Sequence, residues 1–263
     1  MFGWSKLLVV LAVAGSGCAA APPGPRGPLM GPGLKMATDW SLALSYATLE
    51  RPGESDVTGS SDHYLLNLPV LPRRIEMRLS PVSWLDVGTE VGWLDGGLDV
   101  RVGFPAERGE FWAGNLAVGA RTGQAGPFKD TKRQYSYWAR TEVYPLLDES
   151  GGALQKSRRA LLSLGVDVGA FYHQLELPED PNYGEDGFGF NPAQLIRDEM
   201  RVEAAAGIVF LNRRASVLVA LEPYLAFDLE TDAGSCELCP RYRQSAGVVL
   251  VLDVALFLPF EDD

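Results

Sequence analysis

From Asp39 onward, apolar residues recur at every second position along most of the chain, and no run of eighteen apolar residues interrupts this pattern. For example, Leu98, Val100 and Val102 alternate with two charged residues and a glycine. Because successive side chains of a β-strand point to opposite faces, each such segment predicts a strand with one apolar face and one polar or small face. Ten segments between residues 39 and 258 follow this rule. The absence of a long apolar run excludes a transmembrane helix from this part of the sequence.

The composition of the second face separates the architectures that share this period. In a soluble sandwich or lipocalin-like barrel, the apolar face points inward and the charges point to solvent. Here the second face mixes charges with many Gly, Ala and Ser residues, as a narrow, crowded barrel interior requires. The connections differ in length as well, since most of those predicted at the outer end are long and most at the inner end are short. The outer connections are 49–73, 95–97, 122–133, 174–199 and 229–240, and the inner ones are 80–84, 105–110, 146–158 and 212–214.

Aromatic residues on the apolar face are predicted at both ends of the strands. They are Trp40, Phe104, Trp112, Phe210 and Phe260 at the inner ends, and Tyr46, Trp93, Tyr135, Phe227 and Tyr242 at the outer ends. Two such rings are typical of the interfaces that flank a membrane barrel. The chain therefore resembles a bacterial outer-membrane β-barrel protein over about residues 38–260. We predict an all-β fold, a single antiparallel up-and-down transmembrane β-barrel of about ten strands, as one domain over residues 38–263.

Residues 1–17 have the pattern of an export signal, with a basic start, a short apolar run and small residues at the end. The apolar run is too short to span a membrane. The sequence Gly-Ser-Gly-Cys at residues 15–18 resembles the lipobox of bacterial lipoproteins, and this resemblance implies lipid attachment at Cys18. Ordinary signal cleavage after Ala20 or Ala21 is the alternative. We expect an exported protein of the cell outer membrane that is also anchored by lipid.

Residues 19–37 contain five prolines and four glycines. Proline removes a backbone donor and glycine adds backbone freedom, so neither a helix nor a strand ladder is expected here. We predict a semi-extended, lipidated tether over residues 18–37.

The predicted inner face carries charges of both signs on neighbouring strands. We expect a lumen charge network among Arg74, Glu76, Arg78, Glu90, Asp99, Arg101, Arg140, Glu142, Arg201 and Glu203, and the same face also holds Asp86, Asp167, Glu222, Arg243 and Asp253. Ion pairs across a narrow lumen would brace the barrel and leave no wide aqueous path. A selective polar channel is the alternative use of these charges.

Candidate catalytic and metal-binding residues are scarce. The two histidines, His63 and His173, belong to no HExxH motif, and no GxSxG motif is present. Both histidines are predicted near the outer rim beside acidic residues, an arrangement similar to omptin proteases and barrel lipid A deacylases. The acidic run 176–186 lacks the glycine of an EF-hand loop, so we interpret it as a solvated charge run. We expect no catalytic residues, no metal site and no cofactor, and hence no enzyme.

Cys236 and Cys239 form a CxxC pair in a predicted outer loop. No second pair completes a four-ligand zinc site, and no thioredoxin-like βαβ context surrounds them. In an oxidising envelope we therefore predict a small loop disulfide between them.

The formal net charge of −11 opposes binding to nucleic acid. The partners we expect are outer-membrane lipid and envelope proteins that bind the loops or the periplasmic turns. The predicted function is a structural or interaction component of the cell envelope, such as the barrel part of a secretion or gliding apparatus. The alternatives are a small selective channel, a rim hydrolase, and a soluble tethered barrel that binds an apolar ligand.

Overall fold

The computed structural model describes residues 24–50, 60–67, 74–92, 95–104, 114–124, 133–150, 156–175, 193–229 and 241–260. Twelve strands lie in these ranges: β1 (Gly33–Glu50), β2 (Ser60–Asn67), β3 (Arg74–Val82), β4 (Leu85–Gly92), β5 (Asp95–Phe104), β6 (Gly114–Gln124), β7 (Arg133–Val143), β8 (Leu146–Ser150), β9 (Lys156–Leu175), β10 (Ala193–Leu211), β11 (Ala215–Asp228) and β12 (Arg241–Pro259). No helix in these ranges is long and apolar enough to cross a membrane.

The strands form one closed antiparallel barrel with ten positions around its circumference. β1 pairs with β12 on one side and with β2 and β3 on the other, so β2 and β3 together occupy one position. β7 and β8 share a position in the same way, because both pair with β9. The remaining strands pair in sequence order, and the β9–β10 and β1–β12 ladders close the ring. The prediction of a ten-stranded antiparallel barrel is confirmed.

Burial alternates along most of the strands, and most of their charged residues lie inside. In β3 the buried charged residues are Arg74, Glu76 and Arg78, whereas Ile75 and Met77 between them are about half exposed. β4 and β5 show the same inversion, whereas the inward positions of β11 and β12 are mostly apolar. A continuous apolar outer face around an interior that holds most of the charges is the reverse of a soluble barrel and is the distribution of a transmembrane barrel.

Exposed aromatic residues mark both ends of this outer face. Phe104, Phe210 and Phe260 lie at the inner ends of their strands, and Tyr135 and Phe227 lie at the outer ends. They flank an exposed belt of Val, Leu and Ile side chains. This arrangement fits interfacial girdles around an aliphatic band.

Several connections differ from the sequence-based expectation. The predicted outer connections 49–73 and 174–199 contain strand residues, namely β2 and the first residues of β10. Residues 95–97, predicted as a turn, belong to a strand, because β5 begins at Asp95 and Gly97 pairs with Glu90 of β4. A Cβ atom at Gly97 would lie only 2.9 Å from the Glu90 side chain. Glycine therefore fits this strand position because it has no side chain to clash with Glu90. The predicted inner connection 146–158 also contains regular structure, since β8 extends the position of β7 along β9.

The N-terminal boundary of the barrel differs as well. We expected a tether up to residue 37, but β1 begins at Gly33 and pairs with Pro259 of β12. Residues 24–30 are buried and contact lumen side chains of the barrel. The prolines and glycines do prevent a strand there, yet side chains of the barrel wall supply the polar partners that a ladder would otherwise provide.

Candidate functional site

Charged side chains cover the lumen side of β3, β4 and β5, and we call this surface the charged wall. Alternation along three adjacent strands places all of its side chains inside the barrel, and each is at most 5% exposed. The charged wall consists of Arg74, Glu76, Arg78, Asp86, Glu90, Asp99 and Arg101.

Arg78 is the centre of the charged wall and is fully buried. Its Nε donates to Asp86 Oδ2 at 2.9 Å, and its Nη1 donates to Asp99 Oδ2 at 3.2 Å and to Glu76 Oε2 at 3.4 Å. Asp86 also accepts from Arg101 on β5. Gly88 faces the Arg78 guanidinium, and a Cβ atom there would lie 2.6 Å from Arg78 Cζ. The small residue therefore leaves the space in which the guanidinium lies.

A second set of ion pairs crosses the lumen. Arg140 of β7 pairs with Glu203 of β10 and Glu222 of β11, which are not adjacent to β7 in the sheet. Glu142 accepts hydrogen bonds from Tyr144 and, at 3.1 Å, from the Asn115 amide. The Arg140 pairs therefore connect non-adjacent strands through the interior, whereas Asn115 and Glu142 are partners across the β6–β7 ladder.

The opposite side of the lumen holds a buried apolar cluster, which we call the apolar wall. Its side chains come from β9 to β12 and are at most 4% exposed. The apolar wall consists of Leu161, Val209, Leu211, Leu218, Ala220, Val249, Val251 and Phe257.

Arg26 anchors the N-terminal segment, residues 24–30, to the charged wall. Its guanidinium lies 2.6 Å from both Glu90 Oε2 and Asp99 Oδ2, and 3.4 Å from Glu76 Oε2. Its Cζ atom lies 4.9 Å from the ring centroid of Trp138, a cation–π distance. Three carboxylates and an indole ring therefore surround one buried guanidinium.

The backbone of the N-terminal segment is also bound by lumen side chains. Arg26 N donates to Glu142 Oε1 at 3.1 Å, and Arg26 O accepts from Lys35 Nζ at 2.5 Å. Gly27 O accepts from Arg101 Nη1 at 2.8 Å. Further along, Met30 packs in the apolar cluster. The segment thus contacts both walls, through charge on one side and through apolar packing on the other.

The structure places all ten residues of the predicted network inside the barrel, each at most 5% exposed. Arg74, Glu76, Arg78, Glu90, Asp99 and Arg101 come together on β3 to β5, while Arg140, Glu142 and Glu203 lie in the second set. Arg201 pairs with Glu199 at 3.3 Å, and its Cζ atom lies 3.7 Å from the Phe171 ring centroid.

Other predicted residues lie outside these sets. Cys18, Cys236 and Cys239 fall outside the described residues, so lipidation and the disulfide stay predictions. His63 lies on β2 opposite Ala47, and His173 lies on β9. Within the described ranges, no group of three or more His, Cys, Asp or Glu residues is arranged to hold a metal ion.

Sequence reasoning missed several residues that complete the interior. Lys35 was assigned to the tether but faces the lumen from β1, and Trp138 contacts Arg26 from β7. Arg121 of β6 pairs with Glu90 at 2.5 Å. The sequence contains one signal for the buried N-terminal segment: Arg26 is the single charged residue between residues 7 and 34. An isolated charge in an uncharged stretch indicates a specific counter-charge in the fold.

Comparison with known proteins gives no relative by sequence, since neither a family model nor a curated protein matches the chain. Solved structures with a similar chain path include Neisserial surface protein A, with a TM-score of 0.34 and 8% identity over 87% of this chain and 99% of that chain. They also include Ail, the attachment invasion locus protein of Yersinia pestis, crystallised with the heparin analogue sucrose octasulfate. Its TM-score is 0.24, with 10% identity over 86% of this chain and 99% of that chain. The fold assignment rests on the strand pairing of this chain itself.

Proposed function

We propose that this chain is an outer-membrane β-barrel that serves as a structural and interaction component of the cell envelope and is closed as a pore at rest. The apolar outer face supports residence in a membrane, because such a surface is unfavourable in water. The export signal predicted for residues 1–17 and the barrel architecture support the outer membrane as the location.

The occupied lumen is the observation that carries this proposal. Residues 24–30 occupy the space between the charged wall and the apolar wall, while the ion pairs of Arg140 join β7 to β10 and β11 on one side of the lumen. An open channel needs a continuous aqueous path, whereas the segment lies in this space and Arg26 binds it to the charged wall. The envelope role then belongs to the surfaces outside the barrel interior, namely its rims and its lipid-facing belt.

Membrane residence is tested with the Cys18→Ala variant, which removes the predicted lipid site. We expect it to stay in the membrane fraction at alkaline pH and to migrate differently on a denaturing gel before and after heating. A folded protein recovered from the soluble periplasmic fraction would contradict a transmembrane barrel and favour a soluble tethered one.

Closure at rest is tested with wild-type protein in planar bilayers. We expect long closed periods with no steady conductance, whereas a constitutive channel would conduct continuously after insertion. The finer proposal, membership of a trans-envelope assembly such as a secretion or gliding apparatus, is tested by cross-linking in intact cells. Recovery of this chain without any envelope protein cross-linked to it would contradict that finer proposal.

A further inference from the structure

The wall of the lumen carries more acidic than basic side chains. Among the described residues, the strands contribute eleven buried acidic and eight buried basic side chains. Arg26 adds one more positive charge from the N-terminal segment. A lumen without the segment therefore keeps an excess of carboxylates in a confined, low-dielectric space, which concentrates cations.

The acids closest to Arg26 form a site suited to a guanidinium. Glu90 and Asp99 approach it at hydrogen-bonding distance, and Trp138 offers the face of its ring. A planar, weakly hydrated cation with several donors matches carboxylates and an aromatic ring better than a compact ammonium does. In this structure the chain's own arginine occupies that site.

A second acidic position lies elsewhere on the lumen wall. Asp39 and Asp253 are direct partners across the β1–β12 ladder, and both are buried. Neither carboxylate oxygen of Asp253 has a hydrogen-bond partner among the described residues. Lys35 interacts electrostatically with Asp253, so this acidic position is balanced by a lysine of the wall itself.

The N-terminal segment is attached in a way that permits it to leave as a unit. Residues 24–30 take part in no strand ladder, and the wall binds their backbone through Glu142, Lys35 and Arg101. Gly27 and Gly31 have φ angles of 75° and 109°, a region that favours glycine, and they bracket the apolar end of the segment. Its departure breaks side-chain contacts and leaves every barrel ladder intact.

We propose that residues 24–30 are a displaceable gate, and that the vacated lumen is a cation-selective pathway in which Glu76, Glu90 and Asp99 bind guanidinium-bearing cations. The proposal rests on the membrane-spanning barrel proposed above and adds a transport activity to it. Arg26 is then the gate's internal ligand, and competition at its site decides whether the pathway is open.

Single-channel recording of Arg26→Ala in planar bilayers tests the gate. We expect open probability to rise by at least about tenfold over wild type, the effect of losing charge-assisted hydrogen bonds. The current should favour K⁺ over Cl⁻ in a salt gradient, and millimolar methylguanidinium should block it more strongly than tetramethylammonium. Arg26→Lys is the matched control, because it keeps the charge and should remain mostly closed.

A disulfide between Gly24→Cys and Val251→Cys provides a reversible lock in the full chain. A Cβ atom at residue 24 would lie 3.3 Å from Val251 Cγ1, which places the two positions within reach of a disulfide. The lock is made in the Arg26→Ala, Cys236→Ser, Cys239→Ser background to remove competing thiols. We expect no current when it is oxidised and restored current after reduction.

The outcomes separate the gate from the barrel. If Arg26→Ala is as silent as wild type while its unheated form still shows the gel shift of a folded barrel, the gate proposal is wrong and the proposed closed barrel stands. Current that persists in the oxidised lock, or that favours Cl⁻, also overturns the gate proposal. Loss of the gel shift in wild type instead overturns the proposed function.

Discussion

The charged wall and the apolar wall lie in the same lumen and are built on the same period, yet they are stabilised in different ways. On β3 to β5, each buried guanidinium needs carboxylates at defined distances, as the three acids around Arg78 show. On β9 to β12, side chains such as Leu218 and Val249 pack without directional partners. Alternation therefore determines which side chains face inward, while the chemistry of those side chains determines how strongly a substitution in either wall affects stability.

The N-terminal segment joins these two kinds of surface. Arg26 satisfies carboxylates of the charged wall, and Met30 packs against the apolar wall. A purely charged lumen would leave the apolar end of this segment without apolar contacts. A purely apolar lumen would leave its guanidinium buried without carboxylate partners. The difference between the walls therefore defines the orientation in which the segment lies.

Removing Arg78 should have the largest effect on stability. Arg78→Ala leaves Glu76, Asp86 and Asp99 with fewer counter-charges in a buried space, so we expect a loss of about 3–5 kcal/mol or a failure to assemble. Urea unfolding in detergent, followed by the gel shift between heated and unheated samples, measures it. Arg78→Lys is the control, since it keeps the charge and should lose less. Unchanged unfolding of Arg78→Ala would show that water already solvates the charged wall.

Shortening a side chain in the apolar wall should reduce the free energy of unfolding less than removing Arg78 does. Leu218 is fully buried in the apolar cluster, so Leu218→Ala should reduce the free energy of unfolding by about 2–4 kcal/mol through lost burial and a cavity. Leu221, on the same strand, faces outward and is 54% exposed. Leu221→Ala should therefore cost clearly less in the same assay. Equal losses for the two variants would mean that the apolar cluster is no better packed than the lipid-facing belt.

The contrast between the walls also explains what the sequence could predict. Alternation alone placed Arg74, Glu90 and Asp99 in the interior, because a period of two assigns each residue to a face. It could not pair them, since partners such as Arg140 and Glu222 meet across the lumen rather than along a ladder. That pairing depends on the circumference and stagger of the closed barrel, which no single strand encodes.

The position of the N-terminal segment was missed for a different reason. Its prolines and glycines predict only the absence of a helix or strand, and an extended tether satisfies that condition as well as an internal gate does. Arg26 is more than sixty residues away from Glu90 and Asp99 along the chain. Only the closed barrel brings them together.

Adding a methyl group beside Arg78 tests how rigid the charged wall is. In Gly88→Ala the new Cβ would lie 2.6 Å from Arg78 Cζ, and the guanidinium is fixed by three carboxylates. We expect a loss of about 1–3 kcal/mol, as for other overpacked interiors. Gly165→Ala is a milder control, because its nearest atom, Glu203 Oε2, lies at 3.1 Å. Unfolding of Gly88→Ala that matches wild type would show that Arg78 moves freely.

The smallest effect is expected at an ion pair with the same chemistry as the charged wall but with access to water. Arg158 and Asp148 pair across β8 and β9 at 2.8 Å, and their side chains are 59% and 49% exposed. Solvent screens such a pair, so a double-mutant cycle with Arg158→Ala and Asp148→Ala should give a coupling of about 0–1 kcal/mol. High salt should weaken this coupling further, whereas it should barely change the cost of Arg78→Ala, because buried pairs are screened much less. A salt-resistant coupling above about 2 kcal/mol would contradict the expected difference between buried and exposed ion pairs. The bidentate geometry of the guanidinium and carboxylate, rather than burial, would then determine the strength of these pairs.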